Sequence, residues 1–128
     1  IIDDNIDLVI LDFRLHPNDF EEQNIEDVTG YQLLKEIKNY NKGIQVIIFS
    51  ATNKIWNLQE LQKEGADGFV IKESIVNSSH ENFTKQSVLR FKNAIENALE
   101  RKFLKNIYSL LTPIIERLEL NIDKKPKN

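Results

Sequence analysis

Three short apolar runs lie in the first half of the chain, and each ends at a polar side chain. The runs and the residues that end them are Leu8–Leu11 with Asp12, Ile44–Phe49 with Ser50, and Phe69–Ile71 with Lys72. Nearly continuous apolar runs of this kind are typical of strands buried on both faces of a parallel sheet, and we predict the first strand over residues 8–13. Since parallel strands end along one edge, a carboxylate, a hydroxyl and an amine are expected to lie together there.

Helical periodicity separates these runs. Apolar positions three or four residues apart predict one helix from Thr29 to Lys42 and a second, capped by Thr52 or Asn53, that ends at Gly65. The Thr29 hydroxyl is expected to cap the first helix by accepting from the backbone of the residue three positions later. Strand, helix, strand, helix, strand requires right-handed crossovers, so we predict an α/β fold with three parallel strands side by side and helices on the faces.

The second half of the chain is predicted to be helical. A long amphipathic helix is expected from about Thr84 to Leu110, broken at Thr112–Pro113, after which Thr112 caps a second short helix. We divide the chain into a partial α/β domain over residues 1–100 and a helical C-terminal extension over 101–128. An apolar stripe longer than one small sheet can cover usually meets another helix, so we predict self-association as a homodimer.

Composition narrows the function classes. The 128 residues suit one domain, and a net charge of -3 with basic and acidic residues intermixed gives no positive surface for nucleic acid or anionic lipid. The absence of cysteine excludes thiolate metal sites and thiol nucleophiles. No apolar run reaches membrane-spanning length and no signal peptide is recognisable, so we expect a soluble cytoplasmic protein.

The stretch from His16 to Thr29 is polar and is predicted to be a long loop. It carries five carboxylates, which are Asp19, Glu21, Glu22, Glu26 and Asp27. One interpretation is an acidic lid near a metal ion. The other, which we favour, is a solvated surface insertion.

Four segments in order resemble the receiver domain of response regulators, the phosphoacceptor module of two-component signalling. They are Asp7–Asp12 with Arg14-Leu15 after it, Gly30–Leu34, Val46–Ala51 and Gly65–Lys72. The resemblance covers roughly residues 6–75 and implies a flavodoxin-like sheet. It also implies a histidine kinase or phosphotransfer protein as partner.

The same resemblance implies a role for each strand-end residue. Asp12 is the phosphoacceptor, Ser50 the switch hydroxyl, Phe69 the switch aromatic and Lys72 the phosphate-binding lysine. Mg²⁺ is bound by Asp12 and by the backbone carbonyl of Arg14. The chemistry agrees, because a carboxylate that approaches an anionic phosphohistidine needs a cation and an ammonium to offset repulsion.

The chain departs from the family at its start, where a strand, a helix, a second strand and a second helix are missing. Asp3 and Asp4 resemble the acidic pair that binds Mg²⁺ in the family, yet only seven residues separate Asp4 from Asp12. We favour a solvated turn over additional Mg²⁺ ligands for Asp3 and Asp4. Without the missing elements the first strand keeps an unpaired edge, which predicts an element-swapped dimer or a partner chain.

Three functions are consistent with these residues. The first is a regulatory phosphoacceptor module that is not an enzyme. The second is a pseudo-receiver that binds proteins without phosphorylation. The third, an aspartate-nucleophile phosphatase of the haloacid dehalogenase type, is disfavoured because that family needs an aspartate two residues after the nucleophile, where this chain has Arg14.

Overall fold

The structure, a computed structural model, describes residues 5–20, 24–50, 55–72 and 80–123. In these residues strands and helices alternate along the chain, and two long helices follow the last strand. Two 3₁₀ helices, Pro17–Phe20 and Ile25–Asp27, follow the first strand. The strands and α-helices are β1 (Leu8–Asp12), α1 (Thr29–Tyr40), β2 (Gln45–Ser50), α2 (Ile55–Lys63), β3 (Gly68–Ile71), α3 (His80–Glu100) and α4 (Phe103–Asp123).

The three strands form one parallel sheet in the order β1-β2-β3. This confirms the predicted α/β fold class, and each strand lies within one residue of its predicted bounds. β1 ends at Asp12 rather than at residue 13, and β2 includes Ser50. β2 is central and almost wholly buried, which explains its nearly uninterrupted apolar sequence.

Side chains alternate between two cores, one on each face of the sheet. The larger core lies under α1 and α2 and includes Leu11, Phe13, Leu34, Ile48 and Leu61. The smaller core lies under α3 and includes Ile47, Val70 and Ala98, with Phe91 and Ile95 packed against it. In the described part of the chain β1 has a hydrogen-bonded neighbour on one side only, and its Ile10 is 46% exposed.

The start of α1 differs from the prediction. Val28 is the N-cap residue and no side chain caps the helix, so the predicted capping role of the Thr29 hydroxyl is wrong. The Thr29 hydroxyl instead donates to the Asp19 carboxylate at 2.9 Å. Gly30 lies against the chain that leaves β1, and a Cβ there would meet the Phe13 carbonyl oxygen at 2.3 Å.

The amino-terminal end of the sheet is tied together by Lys38. Its ammonium, nearly buried, donates to the Ile44 carbonyl at 2.7 Å and to the Asp67 carboxylate at 2.6 Å. Asp67 also accepts from the backbone of Val46 at 2.8 Å. Nearby, Gly65 takes a φ of 99° two residues after the end of α2, which confirms its predicted role as the helix stop. The predicted caps Thr52 and Asn53 lie outside the described residues.

The predicted helix break at Thr112–Pro113 is wrong. α4 continues through Pro113, and the chain turns instead at Arg101–Lys102. Backbone bonds three residues apart form that turn, and the Arg101 guanidinium donates to the Asp67 carbonyl at 3.0 Å. The turn thus depends on a tertiary contact.

The first turns of α4 pack on the amino-terminal end of the sheet. The Asn41 amide donates to the Lys105 carbonyl at 3.1 Å and to the Ser109 hydroxyl at 2.9 Å. A Cβ on Gly43 would meet the backbone of Leu104 at 2.2 Å, so glycine permits this close approach. The domain boundary at residue 100 stays a prediction.

Candidate functional site

Asp12 and Lys72, which are far apart in sequence, meet at the carboxyl end of the sheet. The Lys72 ammonium donates to the Asp12 carboxylate over 2.5 Å. Their side chains are 38% and 35% exposed, so both reach solvent. The structure therefore places a carboxylate and an ammonium side by side at an accessible edge, where the strand pattern predicted them.

β2 sets the distance between these two groups because it lies between β1 and β3. Asp12 pairs with Phe49 across the sheet, and the Lys72 amide donates to the Ser50 carbonyl at 2.7 Å. The Lys72 ammonium also lies 4.7 Å from the centre of the Phe49 ring, within cation–π distance. The lysine is thus positioned both by its backbone and by the ring beneath its side chain.

Ser50 and Phe69 lie on the same face of the sheet. Ser50 is buried, at 4% exposure, at the end of β2, two residues after Ile48. Phe69 pairs with Ile48 and packs, half-buried, against the core under α1 and α2. Ser50 pairs with Ile71, which lies two residues after Phe69. Since alternate residues of a strand share a face, Phe69 and Ser50 are diagonal neighbours on that face.

The chain after Asp12 is fixed by Asp19, a residue to which the sequence analysis gave no individual role. One Asp19 oxygen accepts from the backbone of Leu15 at 2.8 Å and of His16 at 2.9 Å. The other accepts from the backbone and the hydroxyl of Thr29. Asp19 is 3% exposed, so the interpretation of the 16–29 loop as a wholly solvated insertion is wrong for this residue.

The hydrogen bonds of Asp19 decide its ionisation. Burial alone would raise the pKa of this carboxyl, but the bonds from His16, Thr29 and Leu15 more than offset burial and lower the pKa to about 2. Asp19 is therefore ionised at neutral pH, and its oxygens are occupied by the donors around it. This argues against Asp19 as part of an acidic lid, while Glu21 and Glu22 lie outside the described residues.

Oxygen ligands at Asp12 suit a magnesium ion. The Asp12 carboxylate is one, and its second oxygen accepts from the Arg14 amide at 3.4 Å, which keeps residue 14 close to it. The carbonyl of residue 14 is the second ligand that the family resemblance implies. Mg²⁺ prefers oxygen ligands, often uses one or two carboxylates and keeps several waters, so these residues fit it. The residues of known placement contain no group of three or more histidine, cysteine or acidic ligands, and Asp3 and Asp4 lie outside them.

No helix in the described part of the chain combines the length and hydropathy needed to cross a bilayer.

Comparison with known proteins gives one family match. The model of the response regulator receiver domain matches residues 2–82. Two crystal structures of NtrX from Brucella abortus, one with ATP and one with ADP, are similar at 21% identity and a TM-score of 0.49 each. They cover 79% and 87% of this chain, which spans 19% and 23% of the NtrX chains. No curated protein matches significantly.

Proposed function

Because the chain belongs to the family of response regulator receiver domains, we propose that Asp12 accepts a phosphoryl group from a phosphohistidine of a histidine kinase or phosphotransfer protein. Receiver domains are regulatory, and the flavodoxin-like parallel sheet is the fold of this family. The observation that carries the proposal is the Lys72 ammonium 2.5 Å from the Asp12 carboxylate at the carboxyl end of the sheet.

The chemistry needs little from the protein beyond position and charge. An Asp12 oxygen forms a bond to phosphorus while the bond from phosphorus to the donor imidazole nitrogen breaks, and the imidazole leaves. Lys72 donates to the oxygens of the transferred group and offsets their charge. Asp12 and the Arg14 carbonyl would hold Mg²⁺, which would supply further positive charge to offset the charge of the phosphoryl oxygens.

The conformational output follows from Ser50 and Phe69. A phosphoryl group on Asp12 presents acceptor oxygens near the end of β2, where the Ser50 hydroxyl can donate to one of them. Movement of Ser50 toward that oxygen leaves space on the face that Phe69 shares. The ring can move into this space, which changes the surface around β3.

Incubation with acetyl phosphate and Mg²⁺, followed by intact mass spectrometry, tests the proposal. We expect one added phosphoryl group, which is lost in Asp12→Asn and retained in Asp27→Asn. Asp27 is the control because it is an exposed carboxylate in the stretch between β1 and α1. Lys72→Ala should slow phosphorylation roughly 100-fold, because one charge-stabilising donor is removed. Phosphorylation that persists unchanged in Asp12→Asn would show that the acceptor is another residue.

A pseudo-receiver, which binds proteins without phosphorylation, is the alternative function. A chain that neither binds beryllofluoride nor is phosphorylated would support this alternative over ours. Steady release of phosphate would instead indicate a phosphatase, which Arg14, standing two residues after Asp12, disfavours.

A further inference from the structure

One face of α4 is apolar and open. Six large apolar side chains, each between 41% and 67% exposed, lie within about 100° of arc around the helix. We call them the outward strip, and they are Ile107, Leu111, Ile114, Ile115, Leu118 and Ile122. We propose that the outward strip binds the outward strip of a second copy of this chain about a two-fold axis.

The described part of the sheet and of the other helices does not cover the outward strip. α4 is attached through Lys105 and Ser109, which Asn41 contacts. At 3.6 residues per turn, that side of the helix lies roughly 150° from the centre of the strip. Every residue from 109 to 122 is exposed, and a helical segment with so little support is marginal in water.

The sequence of the strip suits a second copy of itself. Leu111, Ile115, Leu118 and Ile122 are spaced four, three and four residues apart, as in a heptad repeat. Leucine and isoleucine alternate along this row, the arrangement that favours two-stranded coiled coils. A two-fold axis brings each row against its equivalent, so one chain supplies both halves of the interface.

The charges around the outward strip and its continuity are compatible with a second copy of the chain as partner. The charged residues of this part of α4, Glu116, Arg117 and Glu119, all lie outside the arc of the strip, so the contact buries no charge at its centre. The strip is about 24 Å long and about 10 Å wide. The six side chains are contiguous along the helix, unlike single apolar residues scattered over a surface.

Matched substitutions on opposite sides of α4 test the proposal. Leu118 and Leu120 are 58% and 59% exposed, but only Leu118 lies in the strip. The oligomeric state is measured by sedimentation velocity over a concentration series. We expect the unmodified chain and Leu120→Glu to dimerise. We expect Leu118→Glu to remain monomeric at a concentration 100-fold above that at which the unmodified chain is half dimeric. Equal circular dichroism spectra of the two variants at low concentration will show that the fold is kept.

Two outcomes would overturn the proposal. One is a chain that is monomeric throughout the series. The other is a dimer that survives in Leu118→Glu, which would place the contact elsewhere, for example at the edge of β1 that has no neighbour among the described strands. Neither outcome concerns phosphorylation of Asp12, so the proposed function and this interface fail independently.

Disulfide cross-linking gives a second readout, because the chain has no cysteine of its own. Ile115 belongs to the heptad row and lies near the middle of the strip, so it faces its own equivalent in a parallel pair. We expect Ile115→Cys to form a covalent dimer under mild oxidation much faster than Leu120→Cys. Equal rates for the two variants would contradict the proposal.

Discussion

Asp19 connects the turn after Asp12 to the start of α1, where its partner Thr29 lies ten residues further along the chain. Its carboxylate accepts from both parts, so a single buried charge fixes the backbone that includes Arg14. Hydrogen bonds from backbone amides to an ionised carboxylate are strong because the acceptor is charged. The geometry around Asp12 thus depends on a residue that takes no part in the proposed chemistry.

The depressed pKa of Asp19 predicts how stability depends on acid. The ionised form is favoured in the folded state, so its contribution is complete above the ordinary value of 3.8 and is lost as pH falls through about 2. A difference of nearly two pKa units corresponds to about 2 kcal/mol. Urea unfolding at several pH values should therefore show a smaller loss below pH 4 for Asp19→Asn than for the unmodified chain.

The exposed Asp27 provides the control for this measurement. Asp27→Asn should keep the acid dependence of the unmodified chain, because Asp27 is exposed on the same loop. Identical acid dependence in all three proteins would show that Asp19 is not the source.

Sequence reasoning found the residues at the strand ends but missed Asp19. Asp12 and Lys72 each end an apolar run, and parallel pairing alone brings such positions to one edge. Asp19 lies among four other carboxylates in a polar stretch, where solvation is the usual outcome. The sequence around its partner Thr29 predicts a local helix cap, and the contact between Thr29 and Asp19 depends on the path of the intervening loop.

At the scale of elements, α1 and β1 meet through Gly30. The Gly30 amide donates to the Phe13 carbonyl at 3.2 Å, and a Cβ would lie 2.3 Å from that oxygen. The helix therefore starts in contact with the chain that leaves the proposed phosphoacceptor, and only glycine permits this distance.

Gly30→Ala should separate α1 from the end of β1. We expect the free energy of unfolding to fall by about 1–3 kcal/mol, the usual cost of overpacking, and phosphorylation of Asp12 by acetyl phosphate to slow. Gly68→Ala is the control, because its Cβ would make an ordinary 3.4 Å contact with Ile47. Equal stabilities of the two variants, measured by urea unfolding, would contradict the tight contact.

The ends of the last two helices illustrate where local signals mislead. Pro113 predicted a break, yet one missing amide removes only one helical bond, and the neighbouring Thr112 hydroxyl donates to the Tyr108 carbonyl at 2.8 Å. The chain turns at Arg101, where neither glycine nor proline is present. The contact between Arg101 and the Asp67 carbonyl is long-range, so local sequence does not reveal it.

At the scale of the whole molecule, Asn41 links the sheet to the C-terminal helix. Its amide nitrogen donates to the Lys105 carbonyl and the Ser109 hydroxyl, and its oxygen accepts from the Gly43 amide at 2.8 Å. Asn41 is nearly buried, so these groups have little access to water. Loss of its side chain leaves them without a partner of equal quality.

Asn41→Ala should therefore loosen α4 from the sheet. We expect a loss of about 1–3 kcal/mol in unfolding free energy and faster hydrogen exchange in residues 103–109, with phosphorylation of Asp12 unchanged. Asn39→Ala, at an exposed position of α1, is the matched control and should behave as the unmodified chain. Unchanged exchange in Asn41→Ala would show that other contacts attach the helix.

The position of that link has a consequence for signalling. Asn41 lies at the opposite pole of the sheet from Asp12, and β2 spans the interval with six residues, about 20 Å. The apolar side chains of β2 pack alternately into the two cores, so this strand has little freedom to bend. A conformational change that begins at Asp12 can therefore reach the dimer-forming helix α4 in two ways. Either β2 shifts as a rigid body, or the change passes through the flanking helices.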